Sequence, residues 1–121
     1  MKMFAPLYSY LPTPREMSLW DKTTIEEYAH PASMLMETAS RGALQTLLER
    51  ARPTLTTPIL IYVGGGNNGG DGIALGRHLH ELGYSVMLLA IKALDNLPSP
   101  AREHWTMAQK SKVPWAIIPP D

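Results

Sequence analysis

Ile59–Gly72 reads ILIYVGGGNNGGDG, and its reading decides the fold. An apolar, β-branched run (Ile59, Leu60, Ile61, Tyr62, Val63) runs into a loop of six glycines, two asparagines and one aspartate. After Gly72 the spacing turns helical, with Ile73, Ala74, Leu75, Leu79 and Leu82 as its apolar positions. The order is therefore buried strand, Gly-rich turn, helix start. Such a junction gathers unpaired backbone N–H groups and the positive end of a helix dipole, which favours an anion. Glycines let a ligand approach the backbone, and Asn67 and Asn68 tolerate left-handed conformations while offering amides that donate and accept.

Gly64-x-Gly66-x-x-Gly69 satisfies the dinucleotide spacing by letter. That fingerprint also needs an acidic residue at the end of the second strand to hold a ribose. Here the second strand, Ser85–Ile91, is followed by Lys92, which argues against an ordinary nicotinamide dehydrogenase. No Gly-Lys-Ser/Thr follows the glycines, so the loop is not a P-loop.

GGGNNGGDG followed by x3-GRHL-x3-G resembles the signature of the NAD(P)H-hydrate epimerase family, which is also the N-terminal domain of bifunctional NAD(P)H-hydrate repair enzymes. The likeness extends upstream through Arg15-Glu16-Met17, Trp20-Asp21 and Met34-Leu35-Met36-Glu37, and downstream to Lys92 without a gap. It covers most of the chain but about the first half of the family's domain. It implies that Asn67, Asn68, Gly69, Gly70 and Asp71 bind hydrated NADH or NADPH, that Asn68 helps bind a potassium ion, and that Lys92 is the catalytic lysine. The family's catalytic aspartate lies on a later strand, and Asp121 is too early to match it. Thr38 and Ser40 depart from the family's Asn and Gly after Leu-Met-Glu. The resemblance further allows a homodimer and a fused or downstream ADP/ATP-dependent dehydratase domain.

With 45% apolar residues and a formal net charge of zero in 121 residues, the composition is that of one small globular domain. No basic excess points to nucleic acid. The absence of Cys removes disulfides, thiol nucleophiles and thiolate zinc sites. Neither a secretory signal nor an apolar run near the ~20 residues of a membrane span is visible, so the expected compartment is the cytoplasm.

Met1–Pro14 holds three prolines and reads as an extended arm. Helical spacing begins near Ser18, with Trp20, Ile25 and Tyr28 apolar, until Pro31. A second helix runs from Ala32 to about Arg50, with Leu35, Met36, Ala39, Ala43 and Leu47 as a face for a sheet and Gly42 as a point of close packing. Ala51–Pro58 is a connector. The helix after the Gly-rich loop spans about Asp71 to Leu82, with Asp71 as N-cap or first-turn acid and Gly83 as its stop. Ser85–Ile91 is a continuous apolar run that suits a strand buried on both faces. Ser99-Pro100 opens a helix to about Ser111 with serine as cap, and Val113–Ile118 is a third strand. The four histidines read as structural or surface residues, and Met34 and Met36 as core.

This pattern predicts an α/β fold: a Rossmann-like, three-layer αβα domain with a parallel sheet and N-terminal helices before the first strand. Three strands leave it incomplete, so residues 1–121 read as the front part of one NAD(P)H-hydrate epimerase-like domain. Val63, Met87, Leu88, Leu89 and Ile117 should be its sheet core, with some of that surface left open to self-association. The expected activity is epimerisation of the R and S forms of hydrated NADH and NADPH at C6 of the nicotinamide ring, with these residues alone expected to be inactive. A non-catalytic nucleotide-binding or assembly module on the same fold is the alternative.

Overall fold

The structure is a computed structural model that describes Arg15 and residues 31–119. The predicted N-terminal arm, the helix around Trp20, Ile25 and Tyr28, His30 and Asp121 lie outside the described residues. The chain divides after Ala32 into two units, and the architecture below is that of the second. Its elements are α1 (Ala32–Arg50), β1 (Ile59–Val63), α2 (Asn67–Glu81), β2 (Val86–Ala90), a short 3-10 turn (Leu94–Asn96), α3 (Ser99–Lys110) and β3 (Trp115–Ile117). The strands form one parallel sheet in the order β1-β2-β3, with flanking helices in an αβα arrangement.

Register explains which side chains share a face. Ile59, Ile61 and Val63 pair with Val86, Leu88 and Ala90, and Leu88 and Ala90 pair with Trp115 and Ile117. Val63, Leu88 and Ala90 are fully buried under α2 and α3. Gly76 of α2 lies so close to this face that a Cβ there would sit 2.5 Å from Leu88 Cδ2. Trp105 of α3 meets Trp115 edge to face, with centroids 5.1 Å apart. The other face is different. Leu60, Tyr62 and Met87 are 53%, 65% and 38% exposed, so β2 alternates instead of being buried on both sides. Ile117 is also exposed, although Trp115 beside it finds an aromatic partner. The expected core set therefore holds for Val63 and Leu88, fails for Met87 and Ile117, and is half met by Leu89.

α1 has its predicted bounds but turns a different stripe inward. Met36 and Ser40 are buried and Leu44, Leu47 and Leu48 pack on the core, whereas Ala39, Ala43 and Met34 are exposed. Ser40 tolerates burial because its hydroxyl donates to the Glu37 carbonyl at 2.8 Å. Gly42 is exposed, and a Cβ there would meet nothing among the described residues. The close contacts of α1 run to helices, through Met36, Glu37 and the Ser33 carbonyl.

Helix ends follow local chemistry. Gly83, at φ 91°, closes α2 in a Schellman turn: its N–H donates to the His80 carbonyl and that of Tyr84 to the Leu79 carbonyl. α3 closes the same way, with Lys112 N–H to Gln109 and Val113 N–H to Ala108, but the left-handed position at φ 60° is a lysine. At its start Pro98, not Ser99, occupies the cap, and Ser99 lies in the first turn without capping it.

Candidate functional site

β1 and β2 end side by side, and their C-terminal ends open on a cleft of about 560 Å³. In parallel α/β sheets ligands bind at this edge. One wall is the Gly65–Gly66 turn. The other is the segment after β2, comprising Lys92, Ala93, Asn96 and Leu97. Lys92 is exposed, and a Cβ at Gly65 would lie 3.9 Å from its Cδ, so the lysine stem spans the mouth of the glycine turn. Leu94 and Leu97 are buried and anchor the 3-10 turn, which presents Asn96 to the cleft.

The helix that faces this cleft starts earlier than its sequence predicts. α2 begins at Asn67 with Gly66 as its cap, not at Asp71, and among the described residues no side chain caps it. The first amides of a helix have no intrahelical acceptor, so this uncapped end keeps donors at the cleft. Gly69 N–H is already committed to the Gly66 carbonyl at 3.0 Å. Asn67 and Asn68 form the exposed first turn. Asp71 is half-buried in the second turn and is neither N-cap nor first-turn acid.

Gly69 and Gly70 are buried inside this helix start. A Cβ on Gly69 would collide with the Gly64 carbonyl oxygen. One on Gly70 would lie 2.5 Å from Met36 Sδ and 2.8 Å from Ala101 Cβ. These two glycines are demanded by the protein's own packing, since they let α2 begin tightly against β1, α1 and α3. Of the residues expected at the site, the cleft wall contains Lys92; Asn67, Asn68, Gly69, Gly70 and Asp71 follow directly behind its Gly65–Gly66 wall. Asn96 was not foreseen. A polar residue four positions after a strand-end lysine and two before a proline was the only signal available.

A second polar cluster lies behind the helix start. Glu37 of α1 accepts from Arg77 Nη2 at 2.8 Å and from Arg41 Nε at 3.2 Å, and its Oε1 is 2.6 Å from His78 Nε2. His104 Nε2 donates to the Ser33 carbonyl at 3.0 Å, leaving Nδ1 3.7 Å from Glu37 Oε2. Burial pushes the Glu37 carboxyl up, but the charges of His78 and Arg77 and the Arg41 bond together hold it below its ordinary value. Burial holds the His78 imidazole below its ordinary value against the pull of Glu37, and Arg77 and Arg41 add to the lowering. Of the described histidines, His78 and His104 are interhelical ties. Among the described residues no group of His, Asp and Glu is arranged to hold a metal ion, and no helix is long and apolar enough to cross a membrane.

Residues 32–120 match the family described as YjeF-related protein N-terminus. The chain is 36% identical over 98 residues to an NAD(P)H-hydrate epimerase of Rhodopirellula baltica, covering 81% of this chain and 39% of that protein. It is 36% identical over 105 residues to one of Limosilactobacillus reuteri, covering 84% and 48%. It is 34% identical over 101 residues to a bifunctional NAD(P)H-hydrate repair enzyme of Salinibacter ruber, covering 84% and 19%. The chain thus spans less than half the length of these curated relatives. A crystal structure of a yeast protein superposes with a TM-score of 0.70 at 21% identity, over 89% of this chain and 47% of that one, which speaks for the fold alone. With the glycine turn, the strand-end lysine and the fold in agreement, the chain belongs to the YjeF-related protein N-terminus family, as a relative of the NAD(P)H-hydrate epimerases.

Proposed function

We propose that this chain forms the front part of an NAD(P)H-hydrate epimerase, an isomerase that interconverts the R and S forms of hydrated NADH and NADPH at C6 of the nicotinamide ring. The observation that carries the reading is the position of Lys92, at the C-terminal edge of β2 and across the cleft from the Gly65–Gly66 turn. The names of its relatives support the same substrate.

The substrate's own chemistry sets what the site must supply. The ring nitrogen can expel the C6 hydroxyl once an acid protonates it, giving a planar cation. Water then adds to either face while a base takes its proton. That requires a positioned acid/base pair. The Lys92 amine is one member, passing a proton to the departing hydroxyl or receiving one from the arriving water. The family resemblance supplies the other as an aspartate that falls after Asp121.

Nucleotide binding is assigned to Asn67, Asn68, Gly69, Gly70 and Asp71. The two exposed asparagines offer amide groups beside the uncapped helix end, where a phosphate is favoured. Gly69 and Gly70 contribute by allowing the turn to be this tight, and Asp71 from the second turn. Asn68 also suits a potassium ion, because its exposed side-chain amide makes no hydrogen bond among the described residues and presents a hard oxygen donor. The other oxygen donors of such a site come from elsewhere in the protein. A bound potassium would supply charge near the phosphates. The same reading includes a homodimer, a fused or downstream dehydratase domain like that of bifunctional relatives, and a cytoplasmic setting.

The test is direct. Pure R epimer of hydrated NADPH is mixed with the protein extended to the whole family domain, and appearance of the S epimer is followed. Equilibration supports the reading. A folded, complete domain that leaves the R epimer unchanged rejects it.

A further inference from the structure

Asn96 lines the cleft together with Lys92 and has no part in the acid/base pair. Its place is set by the turn that carries it. A 3-10 helix brings residues three apart onto one side, and here that side is Leu94 and Leu97, 4% and 1% exposed. The turn thus buries its leucines and leaves Asn96 exposed at the cleft. The segment is fastened at both ends. Ile91 N–H donates to the Val63 carbonyl at 3.2 Å, and the Arg102 guanidinium donates to the Leu97 carbonyl through Nη2 at 3.1 Å and Nε at 3.3 Å. The exposed Asn96 amide makes no hydrogen bond among the described residues, so its donor and its acceptor are both open to a ligand.

The wall that holds Lys92 is the side of the cleft for the reacting ring, since the uncapped start of α2 behind the other wall suits phosphate. On the epimerase reading, that ring carries two hydrogen-bonding substituents. One is the C6 hydroxyl, which leaves and returns on either face. The other is the C3 carboxamide, across the ring from C6 and identical in the R and S forms. A site that accepts both epimers must hold the ring by the group that does not invert. We propose that Asn96 is this hold: its side-chain amide pairs with the C3 carboxamide, each donating to the other's oxygen, and keeps C6 turned toward Lys92. The inference rests on the epimerase reading of the same cleft. A neutral amide suits the task, because it matches a carboxamide in donors and acceptors and brings no charge to disturb the proton affinity of the lysine. A turn already fixed by Leu94, Leu97 and Arg102 also loses little freedom when the ring binds.

The experiment compares the natural full-length protein with its Asn96→Ala variant, by calorimetry with hydrated NADPH and with ADP-ribose, which lacks the ring, and by R-to-S turnover. In the variant, affinity for hydrated NADPH and kcat/KM should each fall about tenfold, as for one lost hydrogen-bonded pair. Affinity for ADP-ribose should stay as in the wild type, which a merely structural role for Asn96 would not allow. A wild type that turns over while Asn96→Ala binds the hydrate as tightly leaves the epimerase reading standing and overturns the pairing. An equal loss for both ligands overturns it as well. A wild type that binds the hydrate without turnover rejects the epimerase reading, and the two affinities still decide the pairing; one that does neither overturns both. Should Asn96→Ala not fold, the wild type is titrated with the hydrate of the reduced 3-acetylpyridine analogue, in which a methyl group replaces the carboxamide nitrogen. Binding several-fold weaker than that of hydrated NADPH supports the pairing, and equal binding overturns it.

Discussion

His78 Nε2 lies 2.6 Å from Glu37 Oε1, and this contact ties two helices that the sequence presents as unrelated amphipathic segments. Glu37 is the common partner of Arg41, Arg77 and His78, with His104 behind them. Removing the carboxylate leaves enclosed donors without an acceptor, and the cost of burying an unpaired charged group exceeds the net gain of the pair. Glu37→Ala should lower stability by about 1–3 kcal/mol, measured by urea unfolding. A change within a few tenths would mean the cluster is fully solvated in solution.

The same groups set a pH dependence of definite sign. His78 is held below its ordinary 6.5, so the unfolded chain takes up its proton first and stability falls as pH drops below about 6.5. Glu37 and Glu81 are held below their ordinary 4.5, so what they contribute is present above that value and lost as pH falls through their lowered values. Both effects act in one direction. Unfolding midpoints should decline steadily from pH 7 to pH 4, and Glu37→Gln should flatten the lower part of that decline.

Gly70 is the position where packing and a possible ligand role can be told apart. A side chain there meets Met36 and Ala101, so Gly70→Val should destabilise by about 1–3 kcal/mol through overpacking. Met36→Ala in the same chain should recover part of that loss, because the obstructing atoms are the far end of a flexible side chain. Strict additivity of the two substitutions in a double-mutant cycle would show that they do not share this space.

Lys112 occupies a left-handed position that glycine fills at the end of α2. Lys112→Gly should therefore stabilise the fold by about 0.5–1 kcal/mol, read as a raised thermal midpoint. A lowered midpoint would mean that the lysine side chain contributes more than its backbone conformation costs.

Much of this was legible in the sequence because it is local. The bounds of β1 and α1, the Gly83 stop and the parallel order follow from β-branched runs, helical spacing and one positive-φ glycine. The start of α2 was misplaced because Asn67-Asn68-Gly69-Gly70 has poor helix propensity, and packing against Met36 and Ala101 overrides it. The buried stripe of α1 was misread because Ser40 hides its hydroxyl on its own backbone while Ala39 and Ala43 face out. The Glu37 cluster was invisible, since Arg77 and Glu37 are 40 residues apart and His104 and Ser33 are 71 apart. At the site, Lys92 was singled out by the family resemblance, since its place at a strand end alone reads as an ordinary solvated lysine, whereas Asn96 depends on how the 3-10 turn folds back.

The open sheet face makes its own prediction. Leu60 and Tyr62 are more than half exposed on adjacent alternate positions of β1, a surface that favours association. Residues 1–121 in isolation should self-associate, and Leu60→Thr with Tyr62→Thr should shift sedimentation toward monomer with little change in the unfolding midpoint. A wild-type chain that sediments as a monomer at all concentrations would contradict this.

The most direct measurement of the central claim is the rate of R-to-S conversion of hydrated NADPH by the complete domain with and without Lys92→Ala. Lys92 is exposed at the cleft and makes no hydrogen bond or ion pair among the described residues, so the variant should fold and still bind ADP-ribose. Loss of a positioned acid/base group should slow turnover by about 10²–10⁴-fold with KM little changed. A Lys92→Ala domain that epimerises at the wild-type rate would contradict the account.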